Sequence, residues 1–63
     1  MTLQAKQKAA SKAIEKSMNG KLTFMLIKDN EACITQNGST AYRYVNDYGF
    51  KLYAKFKDGI LTL

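Results

Sequence analysis

Hydrophobic and polar residues follow two different periods along this chain, and the change falls at Gly20. From Leu3 to about Met18 there is no glycine or proline and alanine is frequent, which favours a helix that ends before Gly20. At about 100° per residue, Leu3, Ile14 and Met18 are the large members of one thin apolar stripe. We therefore predict an N-terminal amphipathic helix.

The β-rich part covers about residues 21–63, where two-residue turn signals separate short segments. The predicted strands and turns are 21–28, Asp29-Asn30, 31–36, Asn37-Gly38, and later 50–57, Asp58-Gly59 and 60–63. Leu22–Ile27 is apolar on both faces, which predicts a central strand covered on both sides. One thin helix cannot cover both faces, so we expect the sheet to curl towards a barrel or to pack on a second copy of the chain.

Residues 39–48 fit two interpretations. As a helix they would have one stripe made of four residues, Ala41, Tyr44, Val45 and Tyr48. Gly49 would cap that helix, and the order would be αββαββ. As a strand, Thr40–Val45 would complete one helix plus a five-stranded antiparallel meander. Threonine, tyrosine and valine favour a strand and Asn-Gly favours a hairpin, so the α+β meander is the preferred prediction.

The size of the chain predicts one small domain, residues 1–63, at the low end of what folds alone. A lone Cys33 cannot close an intramolecular disulfide. Zinc sites draw on several Cys and His residues, whereas this chain has one cysteine and no histidine. We therefore expect no metal and no cofactor. Self-association, as a homo-oligomer such as a dimer, is the remaining way to stabilise so small a core.

The longest apolar run, Phe24–Ile27, has four residues, against roughly 20 needed to cross a bilayer. No apolar segment of a secretory signal follows the N-terminal lysines, and a single cysteine fits a reducing compartment. We expect a cytoplasmic protein with no membrane partner. Its start at Met1 and its end in a strand suggest a complete small gene product.

Catalytic chemistry is poorly supported by the residue types present. The chain has no histidine, which excludes Ser/His and Cys/His arrangements. Asp29 and Glu31 are the nearest carboxylate pair, and a solvated turn explains them better than an acid/base or cation site. Cys33 has no evident activating partner in sequence, so we interpret it as a core residue. We expect a protein that is not an enzyme.

Charge is the strongest functional signal. The chain has ten Lys and Arg residues and five acidic residues, and the resulting net charge of +5 is concentrated at both ends. The candidate nucleic-acid or partner-binding residues are Lys8, Lys12 and Lys16 on one helix face, Lys51, Tyr53, Lys55 and Lys57 on one strand face, and Tyr42, Arg43 and Tyr44. On a sheet, tyrosines can stack on bases while lysines hold phosphates. A solvated helix face and an edge-protecting strand are the alternative interpretations.

Two functions follow from this pattern. The first is a small basic protein that contacts nucleic acid. The second is a stoichiometric inhibitor or adaptor that docks on an acidic or nucleic-acid-binding protein surface, of the kind that phages and plasmids encode against host systems. Under the first, charge reversal at Lys51 or Lys55 is predicted to weaken binding more than reversal at Lys28.

Overall fold

The computed structural model describes residues 2–62 and contains two helices and four strands in the order αββαββ. The elements are α1 Leu3–Ser17, β1 Thr23–Lys28, β2 Glu31–Thr35, α2 Gly38–Asp47, β3 Lys51–Lys57 and β4 Ile60–Thr62. The α+β class with an N-terminal helix and an antiparallel sheet is confirmed. The preferred five-stranded meander is wrong, because the ambiguous segment forms α2.

The four strands form one antiparallel sheet in the order β2-β1-β3-β4. Strand β1 is central, and α1 and α2 pack on its opposite faces. This explains why β1 is apolar on both sides. A barrel or a second copy is not needed to cover the second face, because α2 covers it. No helix between residues 2 and 62 is long and apolar enough to cross a membrane.

Strand β1 supplies the centre of two separate cores. Met25 points towards α1, and the core there also contains Ala13 and Phe56, both of which are fully or almost fully buried. Leu26 points towards α2, where it packs with two other buried residues, Ala41 and Phe50. Met25 and Leu26 are both 0% exposed, so adjacent residues of one strand hold the two helices.

Helix α2 forms because Asn37 acts as a helix cap and not as a turn residue. Its side chain accepts a hydrogen bond from the Thr40 backbone N–H at 3.1 Å, which is the usual bond of an N-terminal cap. At the other end Gly49 has a φ of +75°, and the Phe50 N–H donates to the Tyr44 carbonyl at 3.0 Å. The capping bonds and the apolar face of the segment thus outweigh its β propensity.

Helix α1 buries a different stripe from the one predicted. Its fully buried residues are the small Ala13 and Ser17, whereas Leu3 and Met18 are 70% and 64% exposed. Small side chains allow the helix to lie close to the sheet. Thr2 caps the start of the helix, and its hydroxyl oxygen accepts the Ala5 N–H at 3.1 Å.

Ser17 connects the end of α1 to the β3–β4 turn. Its hydroxyl donates to the Ile14 carbonyl at 2.7 Å and accepts the Gly59 N–H at 2.9 Å. We expect Ser17→Ala to lower the free energy of unfolding by about 1 to 3 kcal/mol, because a buried hydrogen-bonding group loses its partner. Urea denaturation measures the change, with Ser11→Ala on the exposed side of α1 as the control. Equal effects of the two substitutions would contradict this role.

Strand β3 carries one residue more than β1 between two cross-strand pairs. Met25 pairs with Ala54 and Leu26 pairs with Leu52, so Tyr53 is the extra residue. Such a bulge moves the alternation of the strand by one position. Leu52 therefore lies on the α2 face, while Ala54 lies on the α1 face. The uninterrupted alternation predicted for this strand is wrong.

Candidate nucleic-acid interface

A basic cavity of about 450 Å³ lies at the end of the sheet where β1 finishes. Its lining combines three lysines with one aspartate, a tyrosine and a short apolar floor: Lys6, Lys28, Lys51, Asp29, Tyr53, Ile27, Leu52 and Gly49. The balance of charge in the cavity is positive. We call this feature the Tyr53 cavity.

The Tyr53 ring and the Lys6 ammonium group form the centre of the Tyr53 cavity. Lys6 Nζ lies 5.5 Å from the centroid of the ring, within the range of a cation–π interaction. Lys6 is half-buried, whereas Tyr53 is 54% exposed. A large part of the aromatic surface is therefore open to a ligand.

The bulge in β3 and the ends of β1 and α2 position the other cationic groups. Lys51 is the cross-strand partner of Ile27 on β1, and the Ile27 side chain packs under α1. Lys28 ends β1, and its Nζ lies 6.0 Å from the centroid of the Phe50 ring. Gly49, just after α2, lies beside the Lys28 side chain. A Cβ added at Gly49 would be 3.8 Å from Lys28 Cε. Three elements thus converge on one cavity.

The bulge also divides the basic strand face predicted from sequence. Lys51 and Tyr53 lie on the α1 side of the sheet, since Lys51 pairs with Ile27 and Tyr53 contacts α1. Lys55 and Lys57 lie on the α2 side, because they follow the bulge. The prediction that these four side chains share a face is therefore wrong. A ligand in the Tyr53 cavity would meet only the first pair.

Lys8, Lys12 and Lys16 are all exposed on α1. Lys8 and Lys12 border a shallow cavity between α1 and the edge strand β2, together with Ala32 and Ile34. Positive charge beside an unpaired strand discourages the addition of another strand. The exposure of these two lysines fits the solvated helix face considered from the sequence, and their position beside β2 also fits edge protection, which the sequence suggests only for the lysines of the predicted strand 50–57.

Tyr42, Arg43 and Tyr44 lie on α2 and not on a strand, so the two tyrosines do not share a face. Tyr42 is 73% exposed beside an apolar groove of about 380 Å³ between α2 and β3. Arg43 is exposed. Tyr44 is half-buried, with its ring 5.2 Å from that of Phe50. The neighbouring Cys33 thiol raises the pKa of Tyr44. Its Coulombic interaction with Tyr44 is the largest cause, and a hydrogen bond between the two side chains is the second.

Sequence reasoning did not identify two of the lysines in the Tyr53 cavity, Lys6 and Lys28. Lys6 reaches Tyr53 only because of the way α1 crosses the sheet, and no local pattern indicates that crossing. Lys28 was predicted to matter less than Lys51 and Lys55. The cavity instead groups Lys28 with Lys51 and leaves Lys55 on the other side of the sheet.

Metal chemistry has no candidate centre in the described part of the chain. Within residues 2–62, no group of three or more His, Cys, Asp or Glu side chains could hold a metal ion. Cys33 is a half-buried free thiol in the core between β2 and α2. The arrangement offers binding groups, namely ammonium groups, an aromatic ring and an apolar floor.

Comparisons with known proteins give no relative from which a function could be transferred. No protein-family model, curated protein or solved structure matches the chain. The function of the protein therefore has to be inferred from the Tyr53 cavity itself.

Proposed function

We propose that this protein is a non-enzymatic nucleic-acid-binding protein that holds an unpaired base and its flanking phosphates in the Tyr53 cavity. The observation that carries the proposal is the half-exposed Tyr53 ring in a cavity lined by three lysines, one of which, Lys6, places its ammonium group 5.5 Å from the ring centroid. Aromatic rings stack on any base, and lysines contact phosphates as point charges. This combination favours a single strand and little sequence preference.

The geometry of the cavity favours a single strand over a duplex. A base within a duplex is stacked on its neighbours and cannot enter a concave site, whereas an unpaired base can turn out and stack on a side chain. Ile27, on the same side of the sheet as Tyr53, makes part of the cavity lining apolar, which suits the face or edge of a base. Lys6, Lys28 and Lys51 line the same cavity, where backbone phosphates would pass.

The expected affinity depends strongly on salt, because phosphate neutralisation releases counterions. Three lysine–phosphate contacts on a single strand predict a slope of about −2 in log K against log salt concentration. Fluorescence anisotropy with a labelled twelve-nucleotide oligo-dT at 50 and 200 mM NaCl measures the slope. No binding at 50 mM NaCl would refute the proposal.

Two matched pairs of variants test whether the Tyr53 cavity is the binding site. We expect Tyr53→Ala to weaken binding about 10-fold, because stacking contributes roughly 1 to 3 kcal/mol per base. Tyr42→Ala, at an exposed tyrosine outside the cavity, should leave binding almost unchanged. Lys51→Glu should likewise weaken binding more than Lys55→Glu, although both change the net charge equally. Equal effects of the two tyrosine substitutions would show that Tyr53 is not the stacking site, and equal effects of the two lysine reversals would mean that net charge alone drives binding.

The alternative function, a stoichiometric inhibitor or adaptor, explains the same lysines by attraction to an acidic protein surface. A pull-down from bacterial lysate with and without nuclease separates the two functions. Recovery of nucleic acid that nuclease abolishes supports the proposal. Recovery of one stoichiometric protein that survives nuclease, with no binding to oligo-dT, would support the alternative.

A further inference from the structure

The two outer edges of the sheet differ sharply in charge. Lys8 and Lys12 flank the β2 edge. Residues 59–62, by contrast, have no charged side chain, and Ile60 and Leu61 on β4 are 68% and 55% exposed. Edge strands that lack charge, proline and cover are the ones that pair with other strands. Strand β4 therefore has the features of a pairing edge.

Apolar side chains of α1 extend this edge on one side of the sheet. Leu61 pairs with Phe56, so its side chain lies on the α1 face. Ile14 and Met18 approach Gly59, two residues before Leu61, and both are exposed. The end of α1 and the β4 edge thus present a common apolar surface of three side chains, Ile14, Met18 and Leu61. We call it the β4 surface.

The register of the β3–β4 hairpin determines which backbone groups are free for pairing. Asp58 and Gly59 have φ values of +53° and +78°, as in a type I′ turn. Such a turn makes Lys57 and Ile60 a hydrogen-bonded pair. The next pair, Phe56 and Leu61, exchanges no backbone hydrogen bonds within the hairpin. Leu61 therefore directs its N–H and its C=O away from β3, towards the open edge.

A second copy of the chain fits this edge in both backbone geometry and charge. A two-fold axis at Leu61 would let each Leu61 N–H donate to the Leu61 C=O of the other copy, and would place the two β4 surfaces side by side. Each copy carries a net charge of +5, so two copies approach most easily where their facing residues are uncharged. Residues 59–62 carry no charge, and the neighbouring lysines of β3, Lys55 and Lys57, lie on the α2 side of the sheet, opposite the β4 surface.

From these observations we infer that the protein forms a two-fold symmetric dimer through antiparallel pairing of β4 with β4 of a second copy. The dimer has one continuous eight-stranded sheet, with the β4 surfaces packed across the axis. Only a short strand and a few side chains take part, so the interface is at the small end of specific interfaces, and we expect a weak dimer that dissociates on dilution. This inference does not depend on nucleic-acid binding.

Sedimentation equilibrium between 10 µM and 1 mM protein, without nucleic acid, tests the dimer. We expect the mass to rise from 7.1 kDa at low concentration towards twice that value. We also expect 500 mM NaCl to shift the curve to lower protein concentration than 50 mM NaCl, because salt screens the repulsion between copies. Nucleic-acid binding has the opposite dependence on salt, so the failure of one proposal is distinguishable from the failure of the other.

Matched variants locate the interface. Leu61→Lys and Met18→Lys should each raise the dissociation constant at least 10-fold, while Leu3→Lys, at an exposed leucine at the far end of α1, should not. Circular dichroism confirms that each variant is folded. Hydrogen exchange of the Leu61 amide by NMR gives a second measurement, in which protection rises with protein concentration. A monomer at 1 mM in both salts, or an equal effect of Leu3→Lys, would overturn the inference.

Discussion

Leu26→Ala is expected to lower the free energy of unfolding by about 3 to 5 kcal/mol, because it leaves a cavity in a core that cannot collapse around it. Leu26 is 0% exposed in the central strand, and it packs with Ala41 and Phe50 beneath α2. Domains of this size have a total stability of roughly 3 to 9 kcal/mol. We therefore expect the variant to be largely unfolded at 25 °C.

Urea denaturation followed by circular dichroism measures this loss, and Leu52→Ala supplies a matched control. Leu52 is the cross-strand partner of Leu26 on the same face, yet it is 47% exposed. The same substitution there should cost about 1 kcal/mol, since only part of the side chain leaves an apolar environment. Similar losses at the two positions would show that α2 does not pack on Leu26 as described.

Deletion of Tyr53 is expected to keep the fold while weakening single-strand binding at least 10-fold. Without the extra residue, Leu52 and Ala54 become adjacent and still pair with Leu26 and Met25, as they do now. The strand would lose its bulge and keep every remaining side chain on its present face. The cavity would lose the ring on which a base stacks. Circular dichroism and anisotropy with oligo-dT measure the two effects separately.

Deletion of Lys55 is the control of equal length. It would move Tyr53 into the place of Ala54, opposite Met25 in the core beneath α1. A tyrosine does not fit where an alanine is packed, so we expect this variant to be strongly destabilised. If both deletions unfold the protein, or if deletion of Tyr53 leaves binding intact, the assigned roles of the bulge and the ring are wrong.

The elements with strong local signals were predictable from the sequence, and the ambiguous one was not. The N-terminal helix and the two hairpins with Asp29-Asn30 and Asp58-Gly59 turns depend on residues that are close in sequence. Asn37 suits a turn or a helix cap equally well. The tyrosines and the valine of residues 39–48 favour a strand locally, but packing on the exposed sheet face outweighs this preference. The two-sided apolar pattern of Leu22–Ile27 was the available sign that a second helix would supply that cover.

The candidate site was less predictable than the fold, because it depends on the bulge at Tyr53 and on the crossing of α1. The segment around Tyr53 contains no glycine and reads as an unbroken alternation, so nothing local marks an extra residue. The predicted lysine face therefore combined Lys51, on the α1 side of the sheet, with Lys55 and Lys57, on the α2 side. Lys6 was missed for a similar reason, since only tertiary packing brings the first turn of α1 to β3.

The difference between the two sheet edges has a consequence for solubility. The inferred pairing through β4 would use the uncharged edge of both copies and would leave a β2 edge at each end of the joined sheet. Lys8 and Lys12 flank both of those ends, so a third copy meets positive charge on either side. We therefore expect the inferred edge-to-edge association to stop at two copies and not to continue into a fibre.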